Sequence, residues 1–286
     1  KSLLCCNLIG LQTPSDRDHF LDAVREELGL SIDYSTHVVE GDHATHVQSF
    51  SASIDTEVWM HLATRPGIDE EMVRLRQHLG LRSTGFLGIG VDRLEYTKGL
   101  LNRFEAIDIF LKNDPQYCGK FTFLQIAPPT RTAMPEYQEY GEQVKKLVQQ
   151  LNDRHGFDRW KPIELLPVQV AAEELGVYSR AADLAIISSF ADGMNLVAKE
   201  FVASQVDEKG VLLLSQFAGA AHEMKGAILI DPYNTEQFAK AIKLSLEMPL
   251  SDKKARIQEM QIHLKANNVY KWVGSQLLEN ARFLPS

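Results

Sequence analysis

From about residue 84 onward, short apolar runs of β character alternate with stretches of helical period. That alternation restricts this part of the chain to a parallel sheet covered by helices on both faces. Gly85–Val91 reads as a buried strand, and Leu100, Phe104, Ile107 and Leu111 then recur at the spacing of one helix face. Phe121–Ala127 is a second strand. Pro135 opens a long polar helix reaching about Arg154, a first-turn position that suits proline. Ile163–Leu166, Leu184–Ser188, Val211–Ser215 and Ile228–Ile230 read as further strands. Helices are expected over Ala171–Arg180 and Asn195–Gln205, and over most of the chain from Thr235.

Residues 1–80 are less regular. Asp16–Leu28 predicts a helix with Phe20, Val24 and Leu28 in phase; Val38–Val39 and Val47–Phe50 predict strands; Ile68–Leu79 predicts a charged helix. The polar stretch Gly80–Gly85 is the expected domain boundary. The piece before it is too small and open to be a complete lobe. Lys1 stands where Met would begin a chain, and apolar LLCCNLIGLQ follows closely, so the sequence is expected to open inside a folded unit.

The length of 286 residues permits one large α/β domain or two medium ones, and 44% hydrophobic residues supply a core. A net charge of −8 argues against a bulk nucleic-acid or anionic-membrane binder. No apolar run is long enough to cross a bilayer, and no signal peptide is legible. Cys5, Cys6 and Cys118 fit neither a disulfide framework nor zinc spacing, and are expected to be buried thiols in a reducing cytoplasm. His37, His43 and His46 lie close in sequence, but they fall on an irregular hairpin with no obvious converging carboxylate or further ligand, which disfavours a metal site.

In an open α/β sheet, ligands bind beyond the carboxyl ends of the strands. Three loops there carry candidate chemistry. In Gly90–Gly99 (GVDRLEYTKG), Arg93 and Lys98 precede a helix and suit a phosphate, although a surface turn with Arg93 paired to Asp92 or Glu95 would look the same. In Asp192–Glu200 (DGMNLVAKE), Gly193 permits a tight turn, Asn195 can cap a helix, and Glu200 can accept ribose hydroxyls; a capped surface helix fits equally. In Gln125–Arg131 (QIAPPTR), a rigid Pro-Pro loop projects Arg131, which is either a sugar-phosphate ligand or an ordinary surface arginine. Ser188, Ser189 and Ser215 lack the strained elbow of a hydrolase nucleophile.

These loops, in this order, resemble the trehalose-6-phosphate synthase family of retaining glycosyltransferases, family 20. The resemblance rests on GVDRLEYTKGL (90–100), FTFLQIAPPTR (121–131), YSRAADLAIISSFADGMNLVAKEFVASQ (178–205), GVLLLSQFAGAAHE (210–223) and IDPYN (230–234). LIGLQTPSDRDHFL (8–21) and SFSASID (49–55) extend it with departures. It implies an α/β fold of GT-B type, here one near-complete Rossmann-like lobe plus the C-terminal part of a second. Residues 1–80 would be that C-terminal part, of the acceptor-side lobe. Residues 81–265 would be the donor lobe, and 266–286 a helix returning to the first lobe.

The same resemblance implies transfer of glucose from UDP-glucose to glucose 6-phosphate, with retention, giving trehalose 6-phosphate and UDP. Arg93, Lys98 and Asp192 would carry catalysis, the two cations binding the donor diphosphate. Val170 would touch the base. Asp192, Gly193, Met194 and Asn195 would contact the transferred glucose. Leu196, Val197, Ala198, Lys199 and Glu200 would line the donor, Glu200 on its ribose, and Arg131 would hold the acceptor phosphate. Charge building on the leaving UDP can be met by Arg93, Lys98 and a helix N-terminus without a metal or other cofactor. The acceptor hydroxyl would attack on the leaving-group side, and the departing phosphate would take its proton. Partners would be small molecules, in the cytoplasm; neither nucleic acid nor membrane is implied, and a homo-oligomer is compatible.

Two departures stand out. Ala191 replaces the arginine that commonly precedes Asp-Gly-Met-Asn, and the family's N-terminal Gly-rich loop and first acceptor residues have no counterpart in this sequence. These 286 residues are therefore expected to bind nucleotide but to transfer glucose poorly. The alternatives are a glucosylglycerol-phosphate synthase using glycerol 3-phosphate and a non-catalytic nucleotide-sugar binding module.

Overall fold

The computed structural model describes residues 1–82 and 84–283. The chain forms two compact units, Lys1–Asp55 with Lys265–Ser286, and Thr56–Leu264.

In the smaller unit, β1 (Leu8–Leu11) leads into α1 (Pro14–Leu28), followed by β2 (Ser31–Asp33), β3 (Val38–Glu40) and β4 (Ala44–Ser49). The helix starts two residues before the sequence expectation because Pro14 fills its first turn and Thr13 caps it. The Thr13 hydroxyl accepts the Asp16 N–H, while the Asp16 carboxylate accepts the Thr13 N–H, both at 3.1 Å. Gly29, in the left-handed region, ends it. The sheet order is β1-β4-β3-β2, parallel only between β1 and β4. Ile9, Leu21, Val24, Val39 and Val47 form its core.

The larger unit begins with α2 (Thr56–Thr64) and α3 (Ile68–His78). Then come β5 (Phe86–Val91), α4 (Leu100–Asn113), β6 (Phe121–Ile126), α5 (Pro135–His155), β7 (Ile163–Leu166), α6 (Ala172–Ala181) and β8 (Leu184–Ile187). It continues through α7 (Leu196–Ser204), β9 (Val211–Ser215), β10 (Ile228–Ile230), α8 (Thr235–Glu247) and α9 (Leu250–Ala266). The last helix, α10 (Val269–Ala281), belongs to the smaller unit, where the Trp272 indole donates to the Phe50 carbonyl at 3.0 Å.

Six strands form one sheet in the order β10-β9-β8-β5-β6-β7, parallel throughout. This is the Rossmann arrangement, and strand order reverses between β5 and β8. Alternation along β5 assigns its two faces. Leu87 and Ile89 enter one buried cluster with Leu124, Ile126 and Ile187. Gly88 and Gly90 face the other, where the Phe121 and Phe123 rings fill the space that side chains on β5 would need.

The unit boundary falls at 55/56 and not at Gly80–Gly85. The reason is packing: α2 and α3 lie against α6 and α7. Arg180 donates to the Ala63 carbonyl at 3.0 Å, and Gly176 has no side chain to push Leu62 away. Ser83 of the expected boundary and the last three residues of the expected returning helix, 284–286, lie outside the described residues. A second correction concerns the thiols. Cys5 and Cys6 are exposed, because the opening turn that carries them buries no residue, and Cys118 is half-buried. Among the described residues, no helix is long and apolar enough to cross a membrane, and no three His, Cys, Asp or Glu side chains converge as metal ligands.

Candidate functional site

The switch point of the large sheet brings two of the three candidate loops together. The Asp92–Gly99 loop leaves β5 and the Ser188–Asn195 loop leaves β8, and the Phe190 N–H donates to the Thr97 carbonyl at 2.7 Å. Across this seam the Lys98 ammonium donates to Asp192 Oδ2 at 2.7 Å. The same carboxylate oxygen accepts from the Asn195 amide at 2.9 Å. Burial alone would raise the Asp192 carboxyl, but these hydrogen bonds and the Lys98 charge outweigh it and hold it below the ordinary carboxylate value.

Asn195 does cap α7: its side-chain oxygen accepts the Ala198 N–H at 3.0 Å. It adopts φ +78°, a left-handed conformation that asparagine tolerates, and so turns the chain sharply from Gly193 into the helix. A turn after β9 supports it from behind. The Gly219 N–H donates to the Asp192 carbonyl at 2.9 Å and the Ala220 N–H to the Met194 carbonyl at 2.7 Å. Ser215 and Ser189 are buried beneath, the Ser215 hydroxyl donating to the Ser189 carbonyl at 2.6 Å.

Arg93 is exposed and within 3.2 Å of Glu95, so the ion pair of a surface turn is present, but with Glu95 and not Asp92. Asp92 is turned inward to Arg103, a residue that the sequence reading passed over. Arg103 Nη1 lies 2.7 Å from Asp92 Oδ2 and 2.6 Å from Gln125 Oε1, and its Nε donates to the Ser188 hydroxyl at 2.9 Å. That hydroxyl faces the Lys98 and Gly99 carbonyls at 3.1 and 3.2 Å. The signal was available: position 103 shares the buried face of Leu100, Phe104 and Ile107, where a charge is out of place.

The expected donor residues divide by exposure. Gly193 and Leu196 are exposed, and Val170, Val197 and Glu200 are half-buried. Met194, Ala198 and Lys199 are buried, which leaves mainly backbone groups to a ligand. Lys199 departs most from expectation: its ammonium is fully buried, 2.6 Å from Glu223 at the end of the turn after β9. Glu200 has no side-chain hydrogen bond among the described residues, and burial pushes its carboxyl up to about 7.

The third loop abuts the first. The Leu94 N–H donates to the Pro128 carbonyl at 3.0 Å, and the Tyr96 and Tyr137 rings lie 6.0 Å apart. Arg131 is exposed at φ +48°, and its Nη1 donates to the Tyr137 hydroxyl at 2.7 Å. Thr130, Tyr137, Gln138 and Lys145 line a groove of about 510 Å³ alongside. The site thus offers two exposed cations, an ionised carboxylate paired to a lysine, a helix N-terminus and a carboxyl poised near neutrality. Such groups bind a diphosphate flanked by hydroxyls.

Comparison with known proteins identifies the family. The profile of glycosyltransferase family 20 matches residues 1–281. The α,α-trehalose-phosphate synthase (UDP-forming) of Pichia angusta is 34% identical over 95% of this chain and 57% of its own length. The bifunctional trehalose-6-phosphate synthase/phosphatase of Thermoproteus tenax is 35% identical over 95% of this chain and 37% of its own. The chain thus spans only part of these relatives. Among solved structures, the Escherichia coli trehalose-6-phosphate protein bound with UDP-2-fluoro glucose superposes with a TM-score of 0.92, at 30% identity over 98% of this chain and 62% of that one. A Burkholderia xenovorans α,α-trehalose-phosphate synthase (UDP-forming) in complex with glucose 6-phosphate gives 0.90, at 33% identity over 96% and 60%. The α/β class of GT-B type therefore holds, with the larger unit a Rossmann-like lobe, and the chain belongs to glycosyltransferase family 20.

Proposed function

We propose that this chain carries the donor site of a retaining glucosyltransferase that moves glucose from UDP-glucose to glucose 6-phosphate, releasing trehalose 6-phosphate and UDP. The observation that carries the reading is the Lys98–Asp192 pair at the strand-order reversal, beside the capped N-terminus of α7. Lys98, Arg93 and the first backbone N–H groups of α7 meet the diphosphate, whose charge grows as the sugar–phosphate bond breaks. No cofactor or metal enters this scheme. The diphosphate competes with Asp192 for Lys98, and the released carboxylate accepts glucose hydroxyls. Glu200 accepts from the ribose, Val170 and Val197 flank the nucleoside, and Arg131 takes the acceptor phosphate. The acceptor hydroxyl attacks on the leaving-group face and its proton passes to the departing phosphate. Exposed Cys5 and Cys6 fit a reducing cytoplasmic setting.

Residues 1–55, with α10, supply part of the acceptor-side lobe on this reading. The test is UDP release from UDP-glucose with glucose 6-phosphate or with glycerol 3-phosphate, alongside calorimetric titration with UDP. Release with glucose 6-phosphate supports the proposal. Release only with glycerol 3-phosphate transfers it to that sister activity. UDP binding without release matches the weak transfer expected of these residues alone; only if release is still absent once the N-terminal acceptor-side segment of a relative is joined to the chain does it become a nucleotide-sugar binding module.

A further inference from the structure

We propose that Arg103 is a positioning residue for the diphosphate site, one buried guanidinium that clamps both ends of the loop bearing Arg93 and Lys98. The inference rests on the donor-site reading above. At the start of the loop, Asp92 immediately precedes Arg93, and its carboxylate lies 2.7 Å from Arg103 Nη1. At the far end, Arg103 Nε donates to the Ser188 hydroxyl, whose single proton is shared between the Lys98 and Gly99 carbonyls. The same Nη1 also donates to Gln125 on β6. The carboxyl ends of β5, β6 and β8 are thus joined through one side chain.

The placement is costly, which argues for a purpose beyond cohesion. Arg103 and Asp92 side chains are 0% and 1% exposed, and burial drives the Asp92 carboxyl upward in spite of the pairing. Arg103 Nη2 is buried with no hydrogen-bond partner among the described residues. A buried ion pair is often no more stabilising than an apolar replacement, so its value lies in fixing geometry. Gly90 makes room for it, since a Cβ there would sit 2.5 Å from Arg103 Nη1. Gly99, at φ +63°, closes the loop against the Ser188 carbonyl, where a Cβ would collide. Displacement of a binding group by about 1 Å can cost on the order of a hundredfold in a site of this kind.

Arg76 provides the control. Its guanidinium ties the opposite, amino ends of the strands, donating to the Ala181 carbonyl at 3.0 Å, to the Gly85 carbonyl and to Asp183 at 3.4 Å. The experiment is calorimetric titration of the chain with UDP, with melting temperatures measured in parallel. Lys98→Ala should weaken UDP binding roughly ten- to hundredfold, the loss of one charge-assisted contact. Arg103→Met should weaken it by a similar factor, and the double variant should be no worse than either single one. Arg76→Met should lower the melting temperature comparably while leaving UDP affinity unchanged.

Wild-type UDP affinity in Arg103→Met, or the full Lys98→Ala effect in the Arg103→Met background, overturns the clamp alone. Unchanged UDP affinity in both Lys98→Ala and Arg93→Ala overturns the donor-site reading and the clamp with it. Should Arg103→Met fail to fold, Ser188→Ala removes only the hydroxyl relay to Lys98. A severalfold loss of UDP affinity there supports the clamp, and wild-type affinity overturns it.

Discussion

Glu200 should couple the stability of the larger unit to pH. It lies on α7, half-buried, with no side-chain hydrogen bond among the described residues, and burial raises its carboxyl from the ordinary 4.5 to about 7. The folded chain therefore holds this proton more tightly than the unfolded chain does. Between pH 4.5 and 7 the native state binds more protons, so stability is greatest below 4.5 and falls as pH rises through 7. At about 1.4 kcal/mol per pH unit, the ionised carboxylate costs up to about 3 kcal/mol above pH 7. Glu200→Gln replaces the carboxylate with a neutral group of the same shape. It should match the wild type below about pH 4, exceed it by about 1 kcal/mol near pH 5 and by about 3 kcal/mol at pH 8, the last roughly 6–12 °C in melting temperature for a unit of this size. The assay is thermal and urea denaturation of both proteins at half-unit steps from pH 5 to 8, because the difference curve cancels every other titrating group. The same variant should bind UDP more weakly, since the amide accepts only at one atom where the carboxylate accepts two hydroxyls. A stability difference that does not change with pH would refute the burial argument.

Other perturbations follow from the same geometry. Lys98→Ala leaves the Asp192 carboxylate without its cation, so alongside the affinity loss its carboxyl should titrate at higher pH, which nuclear magnetic resonance of the Asp192 side chain would read. Arg93→Ala should reduce donor affinity by about 1–3 kcal/mol without affecting folding, because the guanidinium is exposed and its ion pair, with Glu95, is a surface one; unchanged affinity and rate would remove it from the site. Arg131→Ala should raise the KM for the phosphorylated acceptor roughly tenfold or more and leave UDP affinity alone, as steady-state kinetics would show. Gly99→Ala forces a Cβ onto the Ser188 carbonyl at a left-handed position, and should lower stability by about 1–3 kcal/mol and weaken UDP binding together.

The sequence exposed the large sheet well because its strands are buried on both faces and its helices carry clear apolar stripes. Phe121–Ile126 and Leu184–Ile187 are apolar runs that no helix of that length would bury. Two short strands escaped although β3, β7 and β10 of equal length were read: β2 (Ser-Ile-Asp) offers one apolar residue, and β1 (Leu-Ile-Gly-Leu) shows no alternation. The helix α2 buries only Thr56 and Ala63, so it has no stripe to read. Polarity at Gly80–Gly85 marks a loop and not a boundary, because attachment of α2 and α3 depends on Gly176 and Arg180, about a hundred residues later. At the site, loop cations and the Asn195 cap were legible from local spacing. Which cation faces inward was not, since Arg103 and Lys199 become buried only through partners distant in sequence, Ser188 and Glu223.

The smaller unit is assembled from two separated stretches, with α10 joined to it through Trp272 and through the Tyr270 hydroxyl on Asp55. On the ribosome this imposes an order. The larger unit is contiguous and can complete itself as soon as residue 264 clears the exit tunnel, whereas the bonds of Phe50 and Asp55 to α10 wait for a helix synthesised after it. At typical elongation rates that delay is on the order of tens of seconds. During it the Phe50 carbonyl, just past β4, lacks the indole N–H it later accepts, while the core of β1 to β4 and α1 is already complete within residues 1–49.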